Sequence, residues 1–212
     1  KGRFKMGKTL IVIPTVGKNE RQLYNEQTVQ ECITSIEENT TGEYEIYLSV
    51  NDYVGFAYAV NLALKDFLDN TYYRDFDGII LLNDDMVIFD KEWLQKFLAK
   101  ANEEVGLITQ EQQNHGWYAP MGCCYLPREI IKKVGLLDER FTVLEWEDID
   151  YNIRVIEAGY KTISLGVNVA KHGDSIARTN APKWAKEEIK KNKKRFIAKY
   201  KGTEYLERLG LK

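Results

Sequence analysis

The sequence is poor in cysteine and proline, with 3 and 4 residues among 212, and it has no long hydrophobic run. The cysteines are Cys32, Cys123 and Cys124. An odd number with two adjacent matches neither a disulfide framework nor the spacing of a zinc site, so we expect packing residues in a reducing compartment. The apolar run at residues 10–13 is far shorter than the ~20 residues of a membrane-spanning helix, so no transmembrane segment is expected.

The sequence also lacks an excess of charge of one sign. Lysine and arginine number 30 and aspartate and glutamate 32, which argues against bulk electrostatic binding of nucleic acid. No secretory pattern opens the sequence, and we expect a cytoplasmic protein. Residues 1–5, which precede Met6, are interpreted as an expression remnant. Repeats, low-complexity tracts and linkers are missing as well, so residues 1–212 are expected to form a single domain.

What the sequence does contain is a regular alternation of predicted strands and helices. Strands are predicted at residues 9–14, 44–50, 78–82 and 105–109, and helices at 27–38, 56–67 and 91–102. Two further helices, at 128–134 and 148–158, are each closed by a glycine, and a late strand follows at 160–169. Residues 116–126 show no clear pattern. The alternation predicts a three-layer α/β domain with a mostly parallel central sheet.

An acidic cluster, Asn83-Asp84-Asp85, directly follows the predicted strand at residues 78–82. In open α/β sheets, ligands bind beyond the carboxyl ends of the strands. Two adjacent carboxylates repel each other there, and Mg²⁺ or Mn²⁺ would relieve this repulsion while binding substrate phosphates. Because Asn and Asp are also common in turns, a solvated turn is the alternative interpretation.

A second acidic cluster lies at residues 145–150, where four carboxylates surround Trp146 at the start of a predicted helix. Capping of the helix dipole explains one or two of these acids but not four. Helical spacing places Asp150 beside Arg154, so Asp148 is the carboxylate expected to act as a general base. A capped, solvated helix start is the alternative.

The two histidines are His115 and His172. His115 is interpreted as a loop residue. His172 follows the predicted late strand, and this position makes its imidazole a candidate ligand for a divalent ion. From the residues alone, a structural role for His172 is an equally good interpretation.

A basic helix, predicted at residues 182–200, carries five lysines and arginines within residues 190–195. One interpretation is a solvated face opposite a packed side formed by Trp184, Ile189, Phe196 and Tyr200. The other is peripheral contact with anionic lipid or a phosphate-bearing acceptor.

The order of these segments resembles family 2 glycosyltransferases with the GT-A fold, especially their rhamnosyltransferase-like members. The matching stretches are residues 10–15, 54–61, 78–87, 121–122, 127–129, 134–139, 147–151 and 158–160, together with Arg154, His172 and Ser175. Each stretch is weak by itself, and their common order makes the resemblance specific. It implies a three-layer α/β/α GT-A domain that transfers a sugar from a nucleotide-diphospho-sugar donor to an acceptor hydroxyl.

The resemblance also implies roles for individual residues. Donor binding is assigned to Pro14, Thr15, Asp52, Asn61, Asn83, Asp84 and Arg178, with Lys183 in the same segment as Arg178. Asp85 and His172 are assigned to Mn²⁺ or Mg²⁺. Asp148 is assigned to catalysis as the base, with Glu147 beside it.

One departure from the family pattern follows the second predicted strand. Family members have an acidic motif there and then a longer stretch before the Gly-Phe-Ala segment, whereas here Asn51-Asp52 leads almost directly to Gly55. Asp52 is the candidate for base recognition, and uridine, guanosine and thymidine donors are all compatible. The acceptor is left open among a glycan, a lipid-linked glycan, a protein and a nucleic acid.

Two other functions compete with sugar transfer. A nucleotidyltransferase acting on sugar phosphates would need a glycine-rich basic loop after the first strand, where only Gly17 and Lys18 occur. A non-catalytic nucleotide- or carbohydrate-binding domain would not need both acidic clusters. The expected transfer is a single displacement that inverts the anomeric carbon, because one base is in place and no nucleophile is evident on the donor side.

Overall fold

The computed structural model describes residues 8–20, 23, 26–52, 54–110, 117–172 and 183–211. Its strands are β1 (Lys8–Val16), β2 (Tyr44–Asn51), β3 (Phe76–Leu82), β4 (Met86–Ile88), β5 (Val105–Thr109), β6 (Cys123–Pro127), β7 (Lys161–Ser164) and β8 (Ala170–His172). Its helices are α1 (Glu26–Asn39), α2 (Phe56–Asp69), α3 (Trp93–Lys100), α4 (Arg128–Val134), α5 (Glu147–Glu157), α6 (Lys183–Lys199) and α7 (Glu204–Arg208), with a short 3₁₀ helix at Thr71–Tyr73.

Six strands form one sheet in the order β2-β1-β3-β6-β5-β7, and β4 pairs with β8 in a separate two-stranded ladder. β1 is parallel to β2 and β3, and β5 is parallel to β7. β6 runs antiparallel to both of its neighbours, β3 and β5. The predicted α/β class and mostly parallel sheet are confirmed. β6 itself was not predicted, since it lies in the stretch without a clear pattern.

The side chains of β1 alternate between two apolar clusters, because successive residues of a strand point to opposite faces. Leu10 and Val12 pack into the cluster that contains residues of α2, α4 and α5. Ile11 and Ile13 pack into the cluster that contains residues of α1 and α3. Helices therefore cover both faces of the sheet, as the three-layer prediction requires. A third apolar cluster joins α5 to α6 and α7.

The sequence predicts that the first strand ends at Pro14. In the structure, β1 continues to Val16. The proline is tolerated because β3 pairs with β1 only as far as Val12. The missing N–H of Pro14 therefore interrupts no ladder on that side. Thr15 therefore lies beyond the part of β1 that pairs with β3, close to the residues that follow β3.

The predicted late strand at residues 160–169 is wrong as a single element. Only its first part forms a strand, β7, which joins the main sheet, whereas β8 begins at Ala170, beyond the predicted range, and pairs with β4. Gly166, with a φ of 78°, lies in the bend between them. Glycine accepts this left-handed conformation readily, so the chain can leave the main sheet here. The change of direction brings His172 to the acidic cluster.

The basic helix α6 is present, and its predicted packed side is confirmed in part, since Phe196 and Tyr200 are buried. Its buried residues are Ala185, Asn192 and Phe196, whereas the side chain of Trp184 is 49% exposed. Trp184 is thus not part of the packed side, contrary to the prediction. None of the described helices is long and apolar enough to cross a membrane.

Candidate active site

The carboxylate of Asp85 and the imidazole of His172 meet beside the ladder of β4 and β8. Met86 pairs with His172 across this ladder, and Asp85 immediately precedes Met86. Oδ1 of Asp85 lies 3.5 Å from Nδ1 of His172. The same oxygen is buried and has no hydrogen-bond partner among the described residues. A carboxylate oxygen and an imidazole nitrogen from two distant parts of the sequence thus lie close together.

These two side chains fit a hard divalent cation. Ligands at ~2.1 Å on adjacent corners of an octahedron lie about 3 Å apart, close to the separation found here. Within the described ranges, no group of three or more His, Cys, Asp or Glu side chains could hold a metal ion. Mg²⁺ and ions like it are commonly bound by one or two protein ligands together with substrate phosphates. Asp85 and His172 are suited to that kind of site.

Asp84 contacts the end of β1. The hydroxyl of Thr15 donates a 2.6 Å hydrogen bond to its Oδ2. Burial raises the pKa of Asp84 to about 6, although the Thr15 hydrogen bond lowers it, and the charge of Asp85 raises it further. Pro14, which precedes Thr15, pairs with Ser49 of β2. The residues assigned to the donor from two separate segments therefore lie together.

Asn51, which the sequence analysis did not single out, ties the ends of β1 and β2 together. Its Nδ2 donates to the carbonyl of Thr15 over 3.0 Å, and its Oδ1 accepts from the amides of Val54 and Gly55. Asp52 is exposed directly after it. An Asn after a strand is itself a signal, because its side chain readily binds nearby backbone amides.

Asn83 links the acidic cluster to β6. Its amide donates to the carbonyl of Gly122 over 2.8 Å, and its own carbonyl accepts from the amide of Met86. Its side-chain Oδ1 is buried without a hydrogen-bond partner in the described part of the chain. The backbone of Asn83 is therefore fixed, while its side-chain oxygen is suited to accept a hydrogen bond from a ligand.

Asn61, which was also assigned to donor binding, makes its side-chain contacts with the segment after α4. The side-chain Nδ2 of Asn61 donates to the carbonyl of Leu137 and to Oε1 of Glu139, at 2.9 and 2.8 Å. Its Oδ1 accepts a 2.8 Å hydrogen bond from the backbone amide of Leu137. We therefore give Asn61 a structural role, which is to hold the segment after α4 against α2. Arg178 lies outside the described residues, and Lys183 is the exposed first residue of α6.

The second acidic cluster forms the first turn of α5. Asp150 is fully buried and is bound by Arg154, Tyr200 and Lys199, with Arg154 Nε at 3.0 Å and the Tyr200 hydroxyl at 2.8 Å. The predicted pairing of Asp150 with Arg154 is confirmed. Asp150 is thus part of the structural contact between α5 and the C-terminal helices.

Asp148 and Glu147 differ in their surroundings. Asp148 is half-buried, and its Oδ1 accepts a hydrogen bond from the amide of Ile149 over 2.8 Å. Glu147 is 5% exposed, and its Oε2 has no hydrogen-bond partner among the residues that the structure describes. Burial, and then the charge of Asp148, raise the pKa of Glu147 to about 8. Burial therefore favours the protonated form of Glu147.

Asn152 connects this helix start to the carboxyl edge of β3. Its Nδ2 donates to the carbonyls of Asp148 and Ala119 at 2.8 Å, and its Oδ1 accepts from the amide of Ala119 at 2.7 Å. Ala119 lies in the segment that enters β6 at Cys123, which pairs with Leu82. Because Leu82 directly precedes the first acidic cluster, the two clusters lie at the same edge of the sheet.

Gln110 aligns the strand that carries His172. Its buried Oε1 accepts from the amides of Val169 and Ala170 at 3.2 and 2.9 Å. No local pattern indicates this role, because Gln110 follows β5 and its partners lie much later in the chain. The position of the imidazole thus depends on the end of β5 as well as on β4.

The backbone before α5 has an unusual conformation. Val143, Glu145 and Trp146 have φ values of 66°, 73° and 79°. Such left-handed non-glycine residues cost about 1–3 kcal/mol each and occur often at functional sites. Gly55 closes against this segment, since a Cβ on it would lie 2.8 Å from the amide nitrogen of Val143.

No protein-family model and no curated protein matches this sequence. Several solved structures match the fold. A mutant of Drosophila β1,4-galactosyltransferase 7 in complex with manganese, UDP-Gal and xylobiose has a TM-score of 0.58 at 13% identity, covering 82% of this chain and 73% of that chain. The chain has the GT-A fold.

Two further structures share the GT-A fold. S. aureus TarS 1–349 has a TM-score of 0.58 at 13% identity and covers 95% of this chain and 71% of that chain. The mannosyltransferase PcManGT from Pyrobaculum calidifontis, in complex with GDP-Man and Mn²⁺, has a TM-score of 0.55 at 12% identity. That match covers 78% of this chain and 56% of the mannosyltransferase.

Proposed function

We propose that this protein is a glycosyltransferase that moves a sugar from a nucleotide-diphospho-sugar to an acceptor hydroxyl with Mn²⁺ or Mg²⁺. The observation that carries the proposal is that Asp85, His172 and the start of α5 lie around one edge of β3. The GT-A fold supports it, since structures with this fold have been solved with manganese and UDP-Gal and with Mn²⁺ and GDP-Man.

In this proposal the donor diphosphate lies beside Asp85 and His172. A divalent ion held by these two residues would neutralise the charge that develops on the departing diphosphate. Asp84, fixed by Thr15, lies next to the ribose, and the exposed Asp52 contacts the base.

Asp148 is the proposed general base. Its carboxylate takes the proton of the acceptor hydroxyl as the acceptor oxygen forms a bond to the anomeric carbon. The bond between that carbon and the diphosphate oxygen breaks, and the diphosphate leaves with the electron pair. Base catalysis of this kind contributes roughly 10²–10⁴-fold to the rate. A single displacement inverts the anomeric configuration, and NMR of the product anomer tests this point, since retention would contradict the role of Asp148.

Glu147 is a poor alternative base, because burial raises its pKa and favours its protonated form. Its neighbour Asp148 is half-buried, and is therefore more accessible to solvent than Glu147. We therefore propose that Glu147 acts as a neutral buried group next to the base.

A thermal-shift panel of nucleoside diphosphates with Mn²⁺ tests the donor site. A ligand at 100 times its Kd stabilises the fold by about 2.7 kcal/mol, so a selective nucleotide raises the melting temperature measurably. Turnover is then measured as release of that nucleoside diphosphate from matching nucleotide-sugars. No stabilisation by any of the nucleotides would contradict the proposal.

The same assays separate the two competing functions. Pyrophosphate released from a sugar 1-phosphate and a nucleoside triphosphate would indicate a nucleotidyltransferase. Nucleotide binding without turnover on any of the donors would indicate a non-catalytic binding domain.

A further inference from the structure

The segment that leads into α5 is held by a residue from a distant helix. Asn192 of α6 is fully buried, and its Nδ2 donates to the carbonyls of Thr142 and Leu144 over 2.6 and 3.1 Å. A longer contact of 3.5 Å reaches the carbonyl of Glu145. These carbonyls belong to the stretch that contains the left-handed residues Val143, Glu145 and Trp146.

The orientation of the Asn192 amide is fixed from its other side. Its Oδ1 accepts a 2.7 Å hydrogen bond from the guanidinium of Arg195. Arg195 also pairs with Glu188, which accepts from the hydroxyl of Thr142 over 3.1 Å. Since the oxygen of the amide faces Arg195, its nitrogen must face the carbonyls. Asn192 therefore acts as a donor to this segment.

The opposite side of the segment is held by the turn before α2. The amide of Phe56 donates to the carbonyl of Val143 over 2.7 Å, and the amide of Val143 donates to the carbonyl of Val54 over 3.4 Å. The segment is thus clamped between this turn and α6. On the α6 side the side-chain amide of Asn192 supplies the hydrogen bonds to the carbonyls of Leu144 and Glu145.

The clamped segment leads directly into the first turn of α5, which contains Asp148. Trp146 precedes the first residue of α5, and its carbonyl accepts the first hydrogen bond of the helix, from the amide of Asp150 over 3.0 Å. The backbone conformation of Glu145 and Trp146 therefore sets the direction in which α5 begins. We infer that Asn192 is a positioning residue that holds Asp148 in place for proton transfer, an inference that rests on the proposed function.

The test compares Asn192→Asp with Ile197→Ala. The aspartate keeps the shape of the side chain and an oxygen for Arg195, but it replaces the donor to the carbonyls with a second acceptor. Ile197 belongs to the apolar cluster that joins α5 to α6 and α7. Its truncation therefore weakens the packing of α6 without removing a hydrogen bond to these carbonyls. Asn192→Ala serves as a second variant should the aspartate prevent folding.

We expect Asn192→Asp to lower kcat by about 10²-fold with an unchanged KM for the donor, because a small misplacement of a catalytic group has an effect of that size. Amide hydrogen exchange of residues 143–150 should become faster at a temperature at which both variants are folded. Ile197→Ala should lower the melting temperature without this loss of kcat.

Equal effects of the two variants on kcat and on local exchange would overturn the inference. So would a rise in the donor KM with an unchanged kcat. If the wild-type protein shows no transfer with any donor, the proposed function fails instead, and that failure is recognised from the wild-type assay alone.

Discussion

The hydroxyl of Thr15 donates a 2.6 Å hydrogen bond to Oδ2 of Asp84, which joins the end of β1 to the cluster after β3. Thr15→Val keeps the shape of the side chain but removes the hydroxyl donor to this partly buried carboxylate. We expect it to lower the free energy of unfolding by about 1–3 kcal/mol, measured by urea denaturation. Thr15→Ser keeps the hydroxyl and is the matched control. Equal denaturation midpoints for the two variants would contradict the prediction.

The second prediction concerns the ion held by Asp85 and His172. Asp85→Asn and His172→Ala should each abolish the extra thermal stabilisation that Mn²⁺ adds to a bound nucleoside diphosphate. Asp77→Asn, at the other end of β3, is the control and should leave it unchanged. Retention of the Mn²⁺ effect in both site variants would rule out this pair as ligands.

Asp148 and Glu147 can be separated by amide substitutions. Asp148→Asn removes the base and should lower kcat by about 10²–10⁴-fold while donor binding is retained. Glu147→Gln resembles the protonated form of Glu147, which burial favours, and should keep most of the turnover. Steady-state kinetics at pH 7 measure both. The reverse order of effects would assign the base to Glu147.

Glu147 also makes stability depend on pH. In the folded protein, burial raises the pKa of Glu147 from its ordinary value of 4.5 to about 8. Its contribution to stability is therefore fully present below the unfolded pKa and is lost as pH rises through the folded one. The free energy of unfolding of the wild type, relative to that of Glu147→Gln, should fall between these pH values. Denaturation across this range measures the difference.

Glu157→Gln, exposed at the other end of α5, controls for removal of a carboxylate from the same helix. The free energy of unfolding of Glu157→Gln should depend on pH in the same way as that of the wild type. A constant difference between wild type and Glu147→Gln at all pH values would show that Glu147 does not hold its proton more tightly in the folded state.

The exposed surface of α6 predicts binding to anionic vesicles. Lys190, Lys193 and Lys194 are exposed, and Trp184 lies on the same helix with an exposed ring. Each basic residue contributes about 1 kcal/mol near an anionic membrane, so replacing these three lysines by glutamine should weaken binding by about 100-fold. Co-sedimentation with vesicles measures this, and the triple arginine variant is the control. Equal pelleting with neutral and anionic vesicles would contradict the membrane contact.

The sequence was sufficient for those parts of the site that follow directly from a strand or helix. Asp84 and Asp85 follow a buried apolar run, and the spacing of Asp150 and Arg154 gives their ion pair. The approach of His172 to Asp85 could not be derived from local patterns. It depends on the pairing of β4 with β8, each only three residues long and too short to show a period.

The same limit applies to the central strand β6 and to the polar residues that hold the backbone. β6 contains two cysteines and lacks the β-branched residues that usually indicate a strand. Asn192 and Asn152 act on carbonyls far away in the sequence, so their roles depend on tertiary packing. Propensity and periodicity are local, and these contacts are not.

The antiparallel strand β6 has a consequence for the way the molecule is assembled. It alone bridges the ladder β2-β1-β3 and the ladder β5-β7 within the described sheet. During synthesis β1, β2 and β3 leave the ribosome first and can pair with one another, whereas β5 must wait for β6 before it can dock. The two parallel halves are therefore expected to form at different times, and a proline introduced into the middle of β6 should leave an ordered N-terminal half beside an unassembled remainder.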